Sequence, residues 1–416
     1  MIKKLYAKIA RDSLYQNSIY VIASTFVMAV FGFVFWIIVA RIFPIESIGI
    51  ATTLVSLTIL ISNFTHLGLN IGLIRYLPKS TNRSDTITTS WILVTANTIL
   101  ITVLLIVGLK VISPKLLFLQ SNILYIFSFI LFMIGYSLNV LIEGIFIAYR
   151  AARNILIKDV VLSTIKLTLP VFMITLGAYG IFAAISIGTF VGVLLSIGIL
   201  VYKYDYHPAP VFNMNVLKKM AHFSGGNYVA GFLFQAPTLL LPLLILNVLH
   251  AKAAAYYYID SMILNLLIII PLATTNAFLA EGAYDATQLK SHFIKAAKII
   301  FSLLIPSVAV IYFFGNIILH FFGKEFESEA FQFLQLISVS AIFIAVTHLG
   351  NAILRIRHQI TALILMSLLG CALVLGLCFA FISNGLVGVG WGWLLGQAIL
   401  AGAYILLFGK EALVRK

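Results

Sequence analysis

Two ionisable residues interrupt apolar runs in the segment from Asn139 to Pro170: Glu143 in NVLIEGIFIAYR and Lys166 in VVLSTIKLTLP. A short basic loop carrying Arg150, Arg153 and Lys158 separates the two runs. At about 1.5 Å of rise per helical residue, both charges are expected roughly 10–12 Å from that loop, at similar depth in consecutive antiparallel helices. A carboxylate and an ammonium surrounded by hydrocarbon are costly, so they face a protein interior, a partner or a water-filled cavity. Their chemistry is charge pairing: Glu143 and Lys166 lock two helices, or Lys166 holds an anionic ligand that displaces the carboxylate. The two readings are compatible and both stay open.

Other polar residues extend the candidate site. Thr52, Ser56, Asn63, His66 and Asn70 recur at helical spacing, a stripe longer than one interhelical hydrogen bond requires, and are expected to line a cavity. Asp260, some seven residues inside an apolar run, must be protonated, paired or holding a cation. Asp260 is the candidate for Na⁺ or H⁺ coupling, and Glu281, in FLAEG at the inner end of that run, joins it as a candidate that also reads as an interfacial capping or gating charge. Pro237 and Pro242 each remove a backbone hydrogen bond from one run, which marks a hinge. Lone His348 reads as a packing residue, and Cys371 and Cys378 as free thiols two turns apart. No nucleophile–base pattern, metal-ligand cluster or glycine-rich phosphate loop is present, so no catalytic residue, metal or cofactor is expected.

These residues have to be carried by membrane-spanning helices. The chain is 62% hydrophobic and 10% charged, with mean hydropathy +1.10, far from a soluble balance. Apolar stretches long enough to cross a bilayer recur from Ser18 to Phe408 and predict about twelve spans. Lys and Arg collect in alternate connections: Arg75, Lys79 and Arg83; Arg150, Arg153 and Lys158; Lys203, Lys218 and Lys219; Lys290, Lys295 and Lys298; Arg355 and Arg357. The intervening connections hold only Arg41, Lys110, Lys115, Lys252 and Lys324. The positive-inside rule then puts both termini in the cytoplasm. The formal charge of +14 is therefore topology and attraction to anionic lipid, which excludes a nucleic-acid partner.

The expected organisation is a basic amphipathic segment over residues 1–17, a six-helix bundle over 18–202, a cytoplasmic linker over 203–221 and a second six-helix bundle over 222–416. QNSIYVI near Tyr20 and GGNYVAG near Tyr228 begin a weak internal repeat. An even number of spans per half implies parallel repeats, with a site between the halves near mid-membrane.

ARIFPIESIGIATTLVSL followed by HLGLNIGLIRYLP resembles the start of the O-antigen-type lipid-linked oligosaccharide flippases, the polysaccharide-biosynthesis family of the MOP exporter superfamily. IEGIFIAYRAARNILIKD and AYYYIDSMILNLLIIIPLATTNAFLAEGA resemble it further along, so the likeness covers essentially the whole chain. It implies an all-α polytopic membrane protein with two six-helix bundles of MATE-like type, working by alternating access. The implied cargo is a polyprenyl-diphosphate-linked oligosaccharide moved from the inner to the outer leaflet of a prokaryotic cytoplasmic membrane. Glycan polymerases or glycosyltransferases of the same pathway are the implied partners. By the pattern, Arg41 falls on an outer turn and Arg75 at the inner end of the second span; Lys166 and Arg75 are then expected to dock the diphosphate, and Asn63, His66 and Asn70 to meet sugar hydroxyls. The alternatives are a MATE-type multidrug/cation antiporter and a membrane-embedded glycan polymerase or ligase. A buried lysine favours an anionic cargo over a cationic drug, and short outer loops leave little room for a catalytic domain.

Overall fold

The computed structural model describes residues 13–208, 212, 214–284 and 288–414, and among them the regular structure is entirely helical. In the first half the α-helices are α1 (Ser13–Ile42), α2 (Ile45–His66), α3 (Leu69–Tyr76), α4 (Arg83–Ile112), α5 (Ile123–Ala148), α6 (Ala152–Phe172) and α7 (Gly177–Tyr204). They are followed by α8 (Met214–Val248), α9 (Ala251–Tyr284), α10 (Leu289–His320), α11 (Lys324–Glu329), α12 (Phe331–Ile356), α13 (Ile360–Phe381) and α14 (Gly385–Val414).

Among the described residues, ten segments are long and apolar enough to cross a membrane. The last of them, Ile360–Phe408, contains both α13 and α14, joined by the tight turn Ile382–Asn384. Helix α6 is not among the ten, because any eighteen-residue stretch of it includes Lys158, Asp159 and Lys166. The expected second span is broken: Leu67 (φ 49°) and Gly68 (φ 77°) both adopt the left-handed conformation and end α2. Asn70 therefore belongs to α3, a separate short helix, and the stripe is not continuous.

The chain divides into two compact units, Met1–Tyr228 and Val229–Lys416. The division falls inside α8 rather than at residue 222. The expected linker is also shorter than 203–221, since α7 runs to Tyr204 and α8 begins at Met214. No proline interrupts the chain between Pro210 and Pro237, so the helix extends upstream of the apolar run. The expected amphipathic segment 1–17 lies outside the described residues up to residue 12; from Ser13 the chain is already in α1.

In unit 1, α2 is the most enclosed span and packs on α4, α5 and α7. Its small hydroxyl residues permit that approach and satisfy themselves locally: Thr52 and Thr53 donate to Gly49 O at 3.0 and 2.8 Å, and Thr58 donates to Leu54 O at 2.8 Å. Helix α6 lies against α1 on one side and α7 on the other. In unit 2 the corresponding enclosed helix is α12, packed on α9, α10 and α14. At one end of unit 2, Glu325 of α11 accepts from Lys252 Nζ at 2.7 Å and from Tyr256 Oη at 2.9 Å. These two bonds hold its carboxyl below the usual carboxylate range.

Candidate functional site: a buried charge network in unit 1

The turn between α5 and α6 sets the register of the network. Past the Tyr149 cap of α5, Arg150 is left-handed (φ 54°), and the next N–H, of Ala151, returns to Phe146 O at 2.8 Å. Asn17 of α1 then caps α6 by accepting the Ala152 N–H at 2.9 Å. The loop is thus tight, and α6 starts at Ala152 instead of after Lys158. Lys158 lies six residues into α6 and Glu143 six residues before the Tyr149 cap of α5, each about 9 Å from the turn.

Lys158 and Glu143 therefore meet. The Lys158 ammonium is 2.9 Å from Glu143 Oε1, 3.0 Å from Asp159 Oδ1 and donates to Asn139 Oδ1 at 2.7 Å. Asn139 also donates to Glu143 Oε1 at 3.3 Å. Ser24 of α1 donates to Asp159 Oδ2, tying a third helix to the network. The expected Glu143–Lys166 pair is not the one formed. Lys166 lies eight residues further along α6, about 12 Å deeper, because the basic loop is shorter than its sequence suggests.

Burial ranks the members. The Lys158 side chain is fully enclosed and that of Asp159 nearly so, whereas the Glu143 side chain is 41% exposed. An ammonium has three N–H groups, and those of Lys158 have three acceptors; nothing is left to offer a ligand. Lys166 is 8% exposed and, among the described residues, forms no hydrogen bond or ion pair; Asp159 acts on it electrostatically. With two lysines and two acids the cluster is formally neutral, not the cationic site expected from Lys166 alone.

Glycines in α7 seat both lysines. A Cβ at Gly188 would lie 2.7 Å from Leu162 O and 3.3 Å from Lys166 N, and one at Gly192 would lie 3.3 Å from Lys158 Cγ. Without side chains there, α6 approaches α7 closely enough for the lysine stems to pack along it.

The remaining expected residues are dispersed. His66 Nε2 bonds Ser137 O of α5 at 2.8 Å and its Nδ1 faces Ser62 Oγ of its own helix at 3.3 Å, so both ring nitrogens are engaged, one of them across the α2–α5 contact. Thr65 and Thr98 add hydroxyl contacts to Ser137 at 3.4 and 3.1 Å. Asn63 is half-buried and its carbonyl accepts from Tyr228 Oη; Asn70 is half-buried on α3. Arg75 is exposed with its guanidinium 5.7 Å from the Tyr76 ring centre, and Arg41 is exposed at the end of α1. In unit 2, Asp260 is fully buried and neither carboxyl oxygen has a hydrogen-bond partner among the described residues. Glu281 is exposed; Pro237 and Pro242 are buried, and α8 stays helical through both.

Sequence reasoning missed Asn139, Asp159 and Ser24, and placed Lys158 in a loop. The available signal was the spacing of Lys158 and Lys166, eight residues apart and so two turns along one helix face.

A family profile described as polysaccharide biosynthesis protein matches residues 14–274. No curated relative matches the sequence. Among solved structures, the chain is similar to the inward-facing conformation of a multidrug resistance MATE family transporter of the MOP superfamily, with 17% identity, TM-score 0.72, and 91% of this chain and 93% of that one covered. It is also similar to an outward-facing structure of the same description (15% identity, TM-score 0.64, 96% of each chain) and to MATE in complex with MaL6 (17% identity, TM-score 0.67, 97% of each chain). At such identities the likeness establishes the fold.

Proposed function

Because the chain belongs to the polysaccharide biosynthesis protein family and has the fold of MOP-superfamily transporters, we propose that it is a flippase for a polyprenyl-diphosphate-linked oligosaccharide. In this reading the cargo passes from the inner to the outer leaflet of a prokaryotic cytoplasmic membrane by alternating access. Both termini are cytoplasmic, as the alternation of basic connections supports. Glycan polymerases and glycosyltransferases of the same pathway are its partners.

The observation that carries the reading is the difference between the two buried lysines. Lys158 is saturated by Asn139, Glu143 and Asp159, so its role is to hold α5, α6 and α1 together. Lys166 is buried on the same helix face without a hydrogen-bonding partner, influenced by Asp159 alone. A diphosphate offered to Lys166 supplies the acceptors it lacks, and an ammonium is a point-charge dock suited to phosphate. Headgroup arrival then draws Lys166 away from Asp159 and weakens the network's grip on α1, a route from binding to conformational change. Asp260 is the residue we assign to Na⁺ or H⁺ coupling, on the strength of its two unpartnered oxygens.

Likeness in fold to multidrug transporters does not transfer their cargo at 15–17% identity. The charge-reversing substitution Lys166→Glu tests the dock: it abolishes transport of the lipid-linked glycan at normal protein level and normal thermal stability. Full transport by that variant would refute the assignment.

A further inference from the structure

Unit 2 contains a cluster of hydrogen-bond donors that the charge network and the coupling residue leave unused. His348, Asn351 and Arg355 follow one another on one face of α12 over two turns. His348 Nε2 and Arg355 Nε are both buried, and neither has a hydrogen-bond partner among the described residues. Between them, Asn351 Oδ1 accepts from Tyr404 Oη of α14 at 2.5 Å, which leaves the amide N–H groups of Asn351 as donors. Tyr404 reaches across because residue 350 is glycine; a Cβ there would lie 2.2 Å from the Tyr404 ring. Phe234 of α8 closes the other side, its ring centre 5.3 Å from that of His348. The Arg355 charge acts on both His348 and Tyr404, so the three groups share one small space.

Among the described residues, no carboxylate acts on that charge. Helices α10, α12 and α13 contain no Asp or Glu, and neither do residues 229–248 and 385–408. In α9, Asp260 and Glu281 are the acids; Glu281, whose neighbour Gly282 packs on Ile356, is exposed and forms no ion pair among the described residues. A buried guanidinium N–H without an acceptor costs free energy, and evolution satisfies such groups with protein, water or ligand.

We propose that His348, Asn351 and Arg355 form an oxyanion site that binds a phosphoryl group. Arg355 supplies the charge and a fixed planar donor, Asn351 and His348 supply neutral donors, and Tyr404 holds the Asn351 amide in orientation. The site deepens the flippase reading by giving unit 2 its own phosphate contact, and only the identity of the natural anion rests on that reading.

The test uses full-length protein carrying Lys166→Glu, which removes the proposed dock of unit 1, in phosphatidylcholine nanodiscs. Binding and thermal shift are measured with farnesyl diphosphate, inorganic pyrophosphate, farnesol and discs doped with phosphatidylglycerol. Farnesyl diphosphate is expected to bind and farnesol not. Arg355→Gln weakens binding at least tenfold, His348→Phe severalfold, and Arg355→Lys, which keeps the charge but loses the planar donor, fails to restore it. Lys324→Gln on α11 changes nothing. Preference for pyrophosphate or phosphatidylglycerol supports the phosphoryl site and identifies its source. Equal binding of farnesol, or unchanged affinity in both Arg355 variants, overturns the proposal. Failure of the protein with Lys166 intact to transport a lipid-linked glycan, with anion binding unchanged, removes the flippase reading and leaves this site standing.

Discussion

Replacing Lys158 with methionine removes the ammonium that Glu143, Asp159 and Asn139 share, while filling nearly the same volume. The consequence follows from burial. Glu143, with a side chain 41% exposed, can turn toward water and loses little. Asp159 is 4% exposed and keeps one hydroxyl, from Ser24, and the unbonded attraction of Lys166, so its charge loses its only ion pair inside the unit. Breaking a buried pair from one side costs about 3–5 kcal/mol. For a unit of 228 residues, with roughly 2–4 °C per kcal/mol, the melting temperature falls by about 6–20 °C. The double substitution Lys158→Met with Asp159→Asn removes the stranded charge and recovers most of the loss. Purified protein scanned at one fixed rate in one detergent gives the comparison, since unfolding of membrane proteins is commonly irreversible. A single variant that loses less than about 3 °C, or a double variant no better than the single, would refute the reasoning.

Three further outcomes are expected. Gly188→Ala pushes α7 from the α6 backbone and destabilises by about 1–3 kcal/mol, whereas Gly198→Ala on the same helix meets open space and stabilises by up to about 1 kcal/mol; thermal scans of the two variants check this. Glu325 has a folded-state pKa below its unfolded value of about 4.5, so its contribution is present above that pH and lost as pH falls further; the melting-temperature gap between wild type and Glu325→Gln should close on acidification below pH 4.5. Transport by Asp260→Asn should lose its response to imposed Na⁺ or H⁺ gradients, and a wild-type response in proteoliposomes removes Asp260 from coupling.

The membrane class and the helical architecture were legible in the sequence because apolar length and Lys/Arg placement report directly on the bilayer. The break at Leu67–Gly68 was hidden, since leucine gives no warning of a left-handed backbone and the polar residues around it keep helical spacing. The pairing of Glu143 was misjudged for a related reason. AARNILIKD looks like a loop by charge, yet the Arg150 turn and the Asn17 cap let a helix begin at Ala152 and carry Lys158 into the interior. Ser24 could not be associated with Asp159 at all, being 135 residues away in sequence. His66 was readable as buried and polar, but only the Ser137 carbonyl and the Ser62 hydroxyl reveal that its ring is engaged.

The central claim is that this chain carries a lipid-linked glycan across the membrane, and deletion of its gene in the native host tests it most directly. The account predicts that polyprenyl-diphosphate-linked glycan accumulates in the inner leaflet, cleared by the wild-type gene and not by the Lys166→Glu allele. Normal glycan export in the deletion strain, with no such accumulation, would contradict it.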